Sequence, residues 1–353
     1  MSDTTLIGPQ TARRLDVHSV PGPVPMLTPV HRDVDVLAWA AEHRDTVGAL
    51  LTAGGALVLR GFPVTGQETF EQLALALSAS GSVAYRENAT PRSHVAGNTY
   101  TSTDYPADRT IYAHNENSHT LSWPGKLFFY CATPAATGGE TPVTDCRAVL
   151  RRIPGHIRDR FLEEGWLYRR SFSPRLGIGW RQAFGVETPD EAHAYAADSW
   201  MDAEFDGDRL VVRYRRWAAV DHPGTGEPVW FNHGTFFNQA SLEPELRRFA
   251  TALGVGRLPY NTFHGNGDPV SDEVVDILRK AYEAETTSFT WERGDILMID
   301  NMLVAHGRRP FTGERRVLVT MTEQMAAAAT ELPGAVAVRT IPQAGPPVDL
   351  PAV

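Results

Sequence analysis

Cysteine is scarce in this chain: the 353 residues include two, Cys131 and Cys146. They sit in no metal-binding spacing and form no disulfide framework, so buried thiols in a reducing cytoplasm are the expectation. Long apolar runs are absent as well, and none reaches the ~18 residues that a membrane helix needs. Residues 1–16, MSDTTLIGPQTARRLD, lack the apolar stretch of a secretory signal. Basic clusters are missing: 33 Lys and Arg stand against 42 Asp and Glu, a formal charge of −9. That balance argues against nucleic acid and anionic membrane as partners. What is present is enough apolar material for a core, 42% of residues, and 12 histidines.

The histidines carry the chemistry. With 42 acidic residues in 353, chance supplies about one or two His-x-acid patterns; the chain has His31-Arg-Asp33, His43-Arg-Asp45 and His114-Asn-Glu116. Residues i and i+2 point the same way on a strand and diverge on a helix. His43 and Asp45 lie in a segment with apolar residues at helical spacing, so a solvated helix face is expected there. His31 and Asp33 fall in a Pro-rich entry to that helix. His114 instead follows TIYA, a β-branched and aromatic run suited to a strand, whose end can aim His114 and Glu116 at one ion. His306, in DILMIDNMLVAHGRRPF, supplies a second imidazole. Two imidazoles and one carboxylate are the ligand set of non-haem Fe(II) oxygenases, with open positions for a cosubstrate and O2.

Patterning along the chain predicts many short strands and a few covering helices. Helices are expected over 33–53, 68–81, 145–165 with a break at Pro154, 187–200, 242–254 and 271–285. Strands are expected over 56–62, 127–132, 141–144, 166–172, 209–222, 228–234 and 315–325, with a strand, a Gly294-Asp295 turn, a second strand and a His306 loop over 287–307. The polar stretch 84–110 is too long for a passive turn and is a candidate active-site loop. Three regions follow: an extended N-terminal segment over 1–30, one domain over 31–325, and a poorly ordered tail over 326–353. The fold class is mainly β with helical insertions, a double-sheet jelly roll.

Three segments taken together resemble one family: TPRSHVAGNTYTSTDYPADRTIYAHNENSHTLSWPGKLFFYCATPAATGGETPVTD, VWFNHGTFFN and GDILMIDNMLVAHGRRPFTGERRVL. They are similar to the taurine dioxygenase (TauD/TfdA-like) oxygenases, which depend on Fe(II) and 2-oxoglutarate. The likeness spans roughly residues 50–325 and is nearest to the SyrP-type branch associated with peptide natural-product assembly. It implies a double-stranded β-helix (cupin-like) core, a metal triad of His114, Glu116 and His306, and a 2-oxoglutarate site using Arg316 and Thr141. Glu116 stands where many relatives carry Asp, which lengthens the ligand arm by one methylene. A guanidinium at 316 would meet a carboxylate in bidentate fashion. Strand alternation then turns Arg315 to the opposite side.

The activity so implied is hydroxylation of an aliphatic C–H, at the β carbon by likeness to that branch, in a small amino-acid substrate, free or held on a carrier protein. Arg170 and Arg308 are candidate cations for the substrate carboxylate. Asn232 and His233 line the pocket or sit in the core, and Asn98 touches substrate or makes an Asx turn. His119, in the triad's own loop, is expected to make a supporting hydrogen bond, and Asp300 and Asn301 to fix the His306 loop by local bonds. Other readings are desaturation, cyclisation or epimerisation on the same scaffold, a non-catalytic metal-binding regulator, and a cupin-like isomerase or hydrolase without 2-oxoglutarate.

Overall fold

The computed structural model describes residues 7–20, 22–83, 94–96, 99–101, 105–173, 178–242, 247–248, 258–327 and 338–340. Among them, nine strands form one large sheet. Its order is Val17–Val20, Met26–Pro29, Ala56–Leu59, Ile296–Asp300, Ser122–Thr133, Arg316–Ala327, Thr99–Thr101, His94–Ala96, with Val338–Thr340 also beside Arg316–Ala327. A four-stranded sheet, ordered Thr286–Thr287, Val143–Asp145, Val304–Arg308, Ile111–His114, carries the histidine pair. A second four-stranded sheet, Asp202–Asp206, Arg209–Arg216, Trp166–Phe172, Tyr260–His264, extends the molecule. The large sheet and the first four-stranded sheet share one apolar cluster, as the two layers of a jelly roll do.

Period-two alternation sorts the large sheet into two cores. Leu127, Phe129, Cys131, Leu297, Ile299, Val317, Val319 and Met321 belong to the interior cluster shared with the smaller sheets. Their neighbours Phe128, Tyr130, Ile296, Met298 and Leu318 face the other way. There the helices Val36–Gly54 and Gln67–Ala76 cover them with Trp39, Val47, Leu51, Phe70 and Leu73. Each strand is thus apolar on both faces, which is why ILMID and LFFYCA read as continuous apolar runs.

Capping sets several helix starts. Asp35 accepts from the Leu37 and Ala38 amides at 3.1 Å and starts Val36–Gly54. Gly55, at φ 76°, ends it. Asp145 caps Cys146–Arg152, Pro154 breaks the run as expected, and Gly155–Glu164 follows. Thr188 and Glu191 close a capping box on Pro189–Asp198. Ser271 caps Asp272–Ala284.

Several expectations need correction. Residues 9–29 are not an extended surface segment: Pro9–Arg14 is a helix, and Val17–Val20 with Met26–Pro29 is a hairpin joined in parallel to Ala56–Leu59. Ile7, Leu15, Val17 and Leu27 are buried, and that apolar set drives the docking. His306 lies on a strand, not a loop. Only Pro228–Val229 of 228–234 is strand; Gly234–Phe237 is a short helix. Helix Gln67–Ala76 stops before Gly81. Of the stretch 84–110, the parts 84–93, 97–98 and 102–104 lie outside the described residues, as do most of 242–254 and of the 326–353 tail. No helix among the described residues is long and apolar enough to cross a membrane.

Both cysteines are free and buried. Burial pushes the Cys131 thiol up to about 11 and that of Cys146 up to about 12. The native protein at mildly alkaline pH should therefore release no rapid signal with an aromatic disulfide reagent, and two thiols should react at once in denaturant. A fast-reacting thiol in the native state would contradict this packing.

Candidate active site

The site begins with a strand pairing. Ile111–His114 lies antiparallel to Val304–Arg308, and the register sets His306 directly opposite His114. Their rings stand 4.6 Å apart, centroid to centroid. The approach is close: a Cβ on Gly307 would lie 2.4 Å from the Ile111 carbonyl oxygen, so only glycine lets the strands meet there.

Glu116 completes the cluster, though not as strand geometry predicts. The strand ends at His114, and the chain turns at Asn117, a non-glycine residue at φ 54°. Ligand atoms of His114, Glu116 and His306 nevertheless all lie within 4.8 Å of one another, and all three residues are buried. His114 Nδ1 lies 2.9 Å from the Tyr112 carbonyl oxygen. A carbonyl only accepts, so Nδ1 carries the hydrogen and Nε2 keeps its lone pair for a cation. Imidazole and carboxylate donors without thiolate suit Fe(II). Phe129 and Phe236 pack on the His306 and His114 rings, at 5.2 and 4.8 Å, and shield the cluster from water.

Thr141 is buried, and its Oγ1 accepts from Trp291 Nε1 at 3.3 Å. The arginine beside it is Arg315, not Arg316. Arg315 Nη2 donates to Thr141 Oγ1 at 3.4 Å and Nε to the Gly139 carbonyl at 2.9 Å. Arg316 is exposed at the start of its strand, where the register shifts before Val317. The physical reason is parity: Val317 and Val319 belong to the interior cluster, and position 315 shares their side. Burial and the nearby Arg308 charge push the Arg315 guanidinium down to about 10.

The remaining candidates separate. His233 is buried beside the triad, its ring 5.4 Å from that of His114. Its Nδ1 lies 3.0 Å from the Asn115 carbonyl oxygen, which fixes the tautomer. Nε2 is then an acceptor, and it has no hydrogen-bond partner among the described residues. Burial, then the His114 charge, hold His233 well below the usual imidazole range. Arg170 is buried too; its Nη1 lies 3.2 Å from His119 Nε2, and its guanidinium sits over Phe172 and Phe237. His119 in turn stands 4.9 Å from the His233 ring.

Arg308 and Asn232 serve the backbone instead. Arg308 donates to the carbonyls of Tyr105, Pro106 and Arg109, so it fixes that loop. Asn232 donates to Ala218 O and accepts from the Gly234 amide. Asn98 lies outside the described residues. Sequence reasoning missed Trp291, which shows no signal beyond its place near a strand. It also missed the reach of Asn301, whose side chain bonds the Glu116 backbone rather than its own loop.

His114→Ala or His306→Ala should lose most bound Fe(II), because two remaining ligands hold it poorly against water. Iron content after anaerobic reconstitution checks this; full stoichiometry in both variants would remove the triad assignment.

Comparison with known proteins agrees with this geometry. A family profile described as "Taurine catabolism dioxygenase TauD, TfdA family" matches residues 25–322. The chain is 35% identical to the dapdiamide synthesis protein DdaC of Enterobacter agglomerans over 314 residues, 88% of this chain and 94% of that protein. It is 31% identical to a clavaminate synthase-like protein of Arabidopsis thaliana, covering 77% and 83%. The backbone is similar to the crystal structure of PvcB from Pseudomonas aeruginosa, with a TM-score of 0.53 at 14% identity over 87% of this chain and 91% of that one. A taurine dioxygenase structure from Burkholderia xenovorans gives 0.51 at 14% identity, covering 93% and 96%. At that identity the two structures speak for the fold alone. The profile match and the relatives show that this chain belongs to the TauD/TfdA family of iron- and 2-oxoglutarate-dependent dioxygenases.

Proposed function

We propose that this dioxygenase hydroxylates an aliphatic C–H, at the β carbon, of an amino acid or a carrier-tethered amino acid in cytoplasmic natural-product biosynthesis. The observation that carries the reading is the buried triad of His114, Glu116 and His306, with Thr141 two residues before Val143, the register partner of His306, and Arg315 donating to Thr141. Dapdiamide synthesis, in the name of the relative DdaC, supports the natural-product setting. Bound iron and 2-oxoglutarate together supply the oxidising power for C–H cleavage with O2.

The chain's own residues hold and orient. His114, Glu116 and His306 would hold the metal. Arg315 would pair with the far carboxylate of 2-oxoglutarate. Thr141 accepts from both Trp291 and Arg315, which leaves its own hydroxyl hydrogen to donate to that carboxylate. For the substrate, Arg170 offers a buried cation for a carboxylate, and His233 Nε2 a neutral acceptor for an N–H. Glu116 would hold the metal at a place that a halide would otherwise need, so the expected product carries oxygen rather than halogen.

Two measurements test the reading. Arg315→Ala should raise the 2-oxoglutarate requirement by on the order of 30-fold or more, the loss of a buried charge-assisted pair worth roughly 2–5 kcal/mol. Arg316→Ala should cost about 0.5 kcal/mol or less, as an exposed position. Equal effects would overturn the cosubstrate site. Incubation of an amino-acid panel, free and carrier-loaded, with Fe(II), 2-oxoglutarate and 18O2 should give succinate and a product that gains one labelled oxygen. A product lacking two hydrogens would shift the reading to desaturation or cyclisation, and a chlorinated product would remove Glu116 as a ligand.

A further inference from the structure

Glu116 lies past the end of its strand, so no neighbouring strand fixes its backbone. A side chain takes that role. Asn301 Oδ1 accepts from the Glu116 amide at 2.7 Å, and Asn301 Nδ2 donates to the Glu116 carbonyl at 2.9 Å. One carboxamide thus bonds both backbone groups of a single residue, as a paired strand does in a ladder. The same Nδ2 donates to the Pro124 carbonyl at 2.9 Å, and the Asn301 carbonyl accepts from Asn115 Nδ2 at 2.7 Å. Asn301 itself is anchored to the large sheet: its amide bonds Gly125 O, one step beyond the Asp300–Lys126 register pair. It is fully buried. The network admits one orientation of the amide, since a flip would set N–H against N–H and carbonyl against carbonyl.

We infer that Asn301 is a positioning residue for the metal: it acts as a one-residue surrogate strand that locks the Glu116 carboxylate in ligand geometry. Asp in its place would lack the donor, Ser would be too short to reach both groups, and Ala would leave buried backbone groups unmade. The inference rests on the metal role of the triad, and wild-type metal binding tests that role separately.

Asn238 gives a matched control. It is also buried and clamps two segments, donating to Thr262 O and Oγ1 and accepting from the Ala240 amide. It bonds none of the ligand residues through these contacts.

Apparent Co(II) affinity is measured by chelator competition on wild type, H114A, N301A, N301S and N238A, alongside the thermal midpoint of each apo protein. Wild type should bind Co(II) and H114A should not; failure there would overturn the triad, not the role of Asn301. N301A should weaken Co(II) binding by about 10–100-fold, the range for groups that orient ligands, and N301S should weaken it likewise. N238A should lower the apo midpoint by as much as N301A yet bind Co(II) as wild type does. Wild-type affinity in N301A, or the same loss in N238A, would overturn the inference. Should N301A fail to fold, N301S, which keeps a polar group at the site, carries the same comparison.

Discussion

The antiparallel pairing of Ile111–His114 with Val304–Arg308 is the contact on which the centre depends. It joins two segments far apart in sequence and sets the two imidazoles side by side, their rings tilted at 45°. Backbone hydrogen bonds do this, so the histidines need no long side-chain reach and lose little rotamer freedom on binding a cation. Gly307 is the condition for the pairing, because any side chain there would strike the opposite backbone.

Around that pair the polar network is organised by the large sheet. Asp300 accepts from the Met302 and Leu303 amides and from His222 Nε2, which fixes the turn into the His306 strand. The next residue, Asn301, reaches the Glu116 loop instead. Two consecutive residues at one strand end therefore brace the two arms of the triad. The Asp300 carboxylate, the Asn301 carboxamide and the Glu116 backbone are hydrogen-bonded, as a low-dielectric interior requires.

Much of this was legible in the sequence. The pair His114 and Glu116 could be chosen because TIYA favours a strand and because the His43 pair sits at helical spacing; His306 came with the family resemblance. Pro154 marks a helix break by local chemistry alone. Arg315 against Arg316 was harder, since adjacent arginines differ only in parity, and parity follows from which of Val317 and Leu318 faces the interior. Both are apolar, so the pattern of the strand is silent. The N-terminal hairpin was missed because its buried set, Leu15, Val17 and Leu27, is spread thinly among prolines and polar residues. A strand end at TIYA predicts that His114 and Glu116 aim at one ion, but the loop that carries Glu116 is held by a distant side chain that no local pattern reports.

The large sheet shares its strands between two apolar clusters but not their side chains. Phe128 and Leu318 look toward the helices, while Phe129 and Val319 look toward the chemistry. Substitutions on the helical side reach the interior only through a backbone already held by ladders on both edges. Such an arrangement separates the reserve of stability from the shape of the reaction chamber. Packing on the helical side can therefore change while the residues around the metal ligands keep their places.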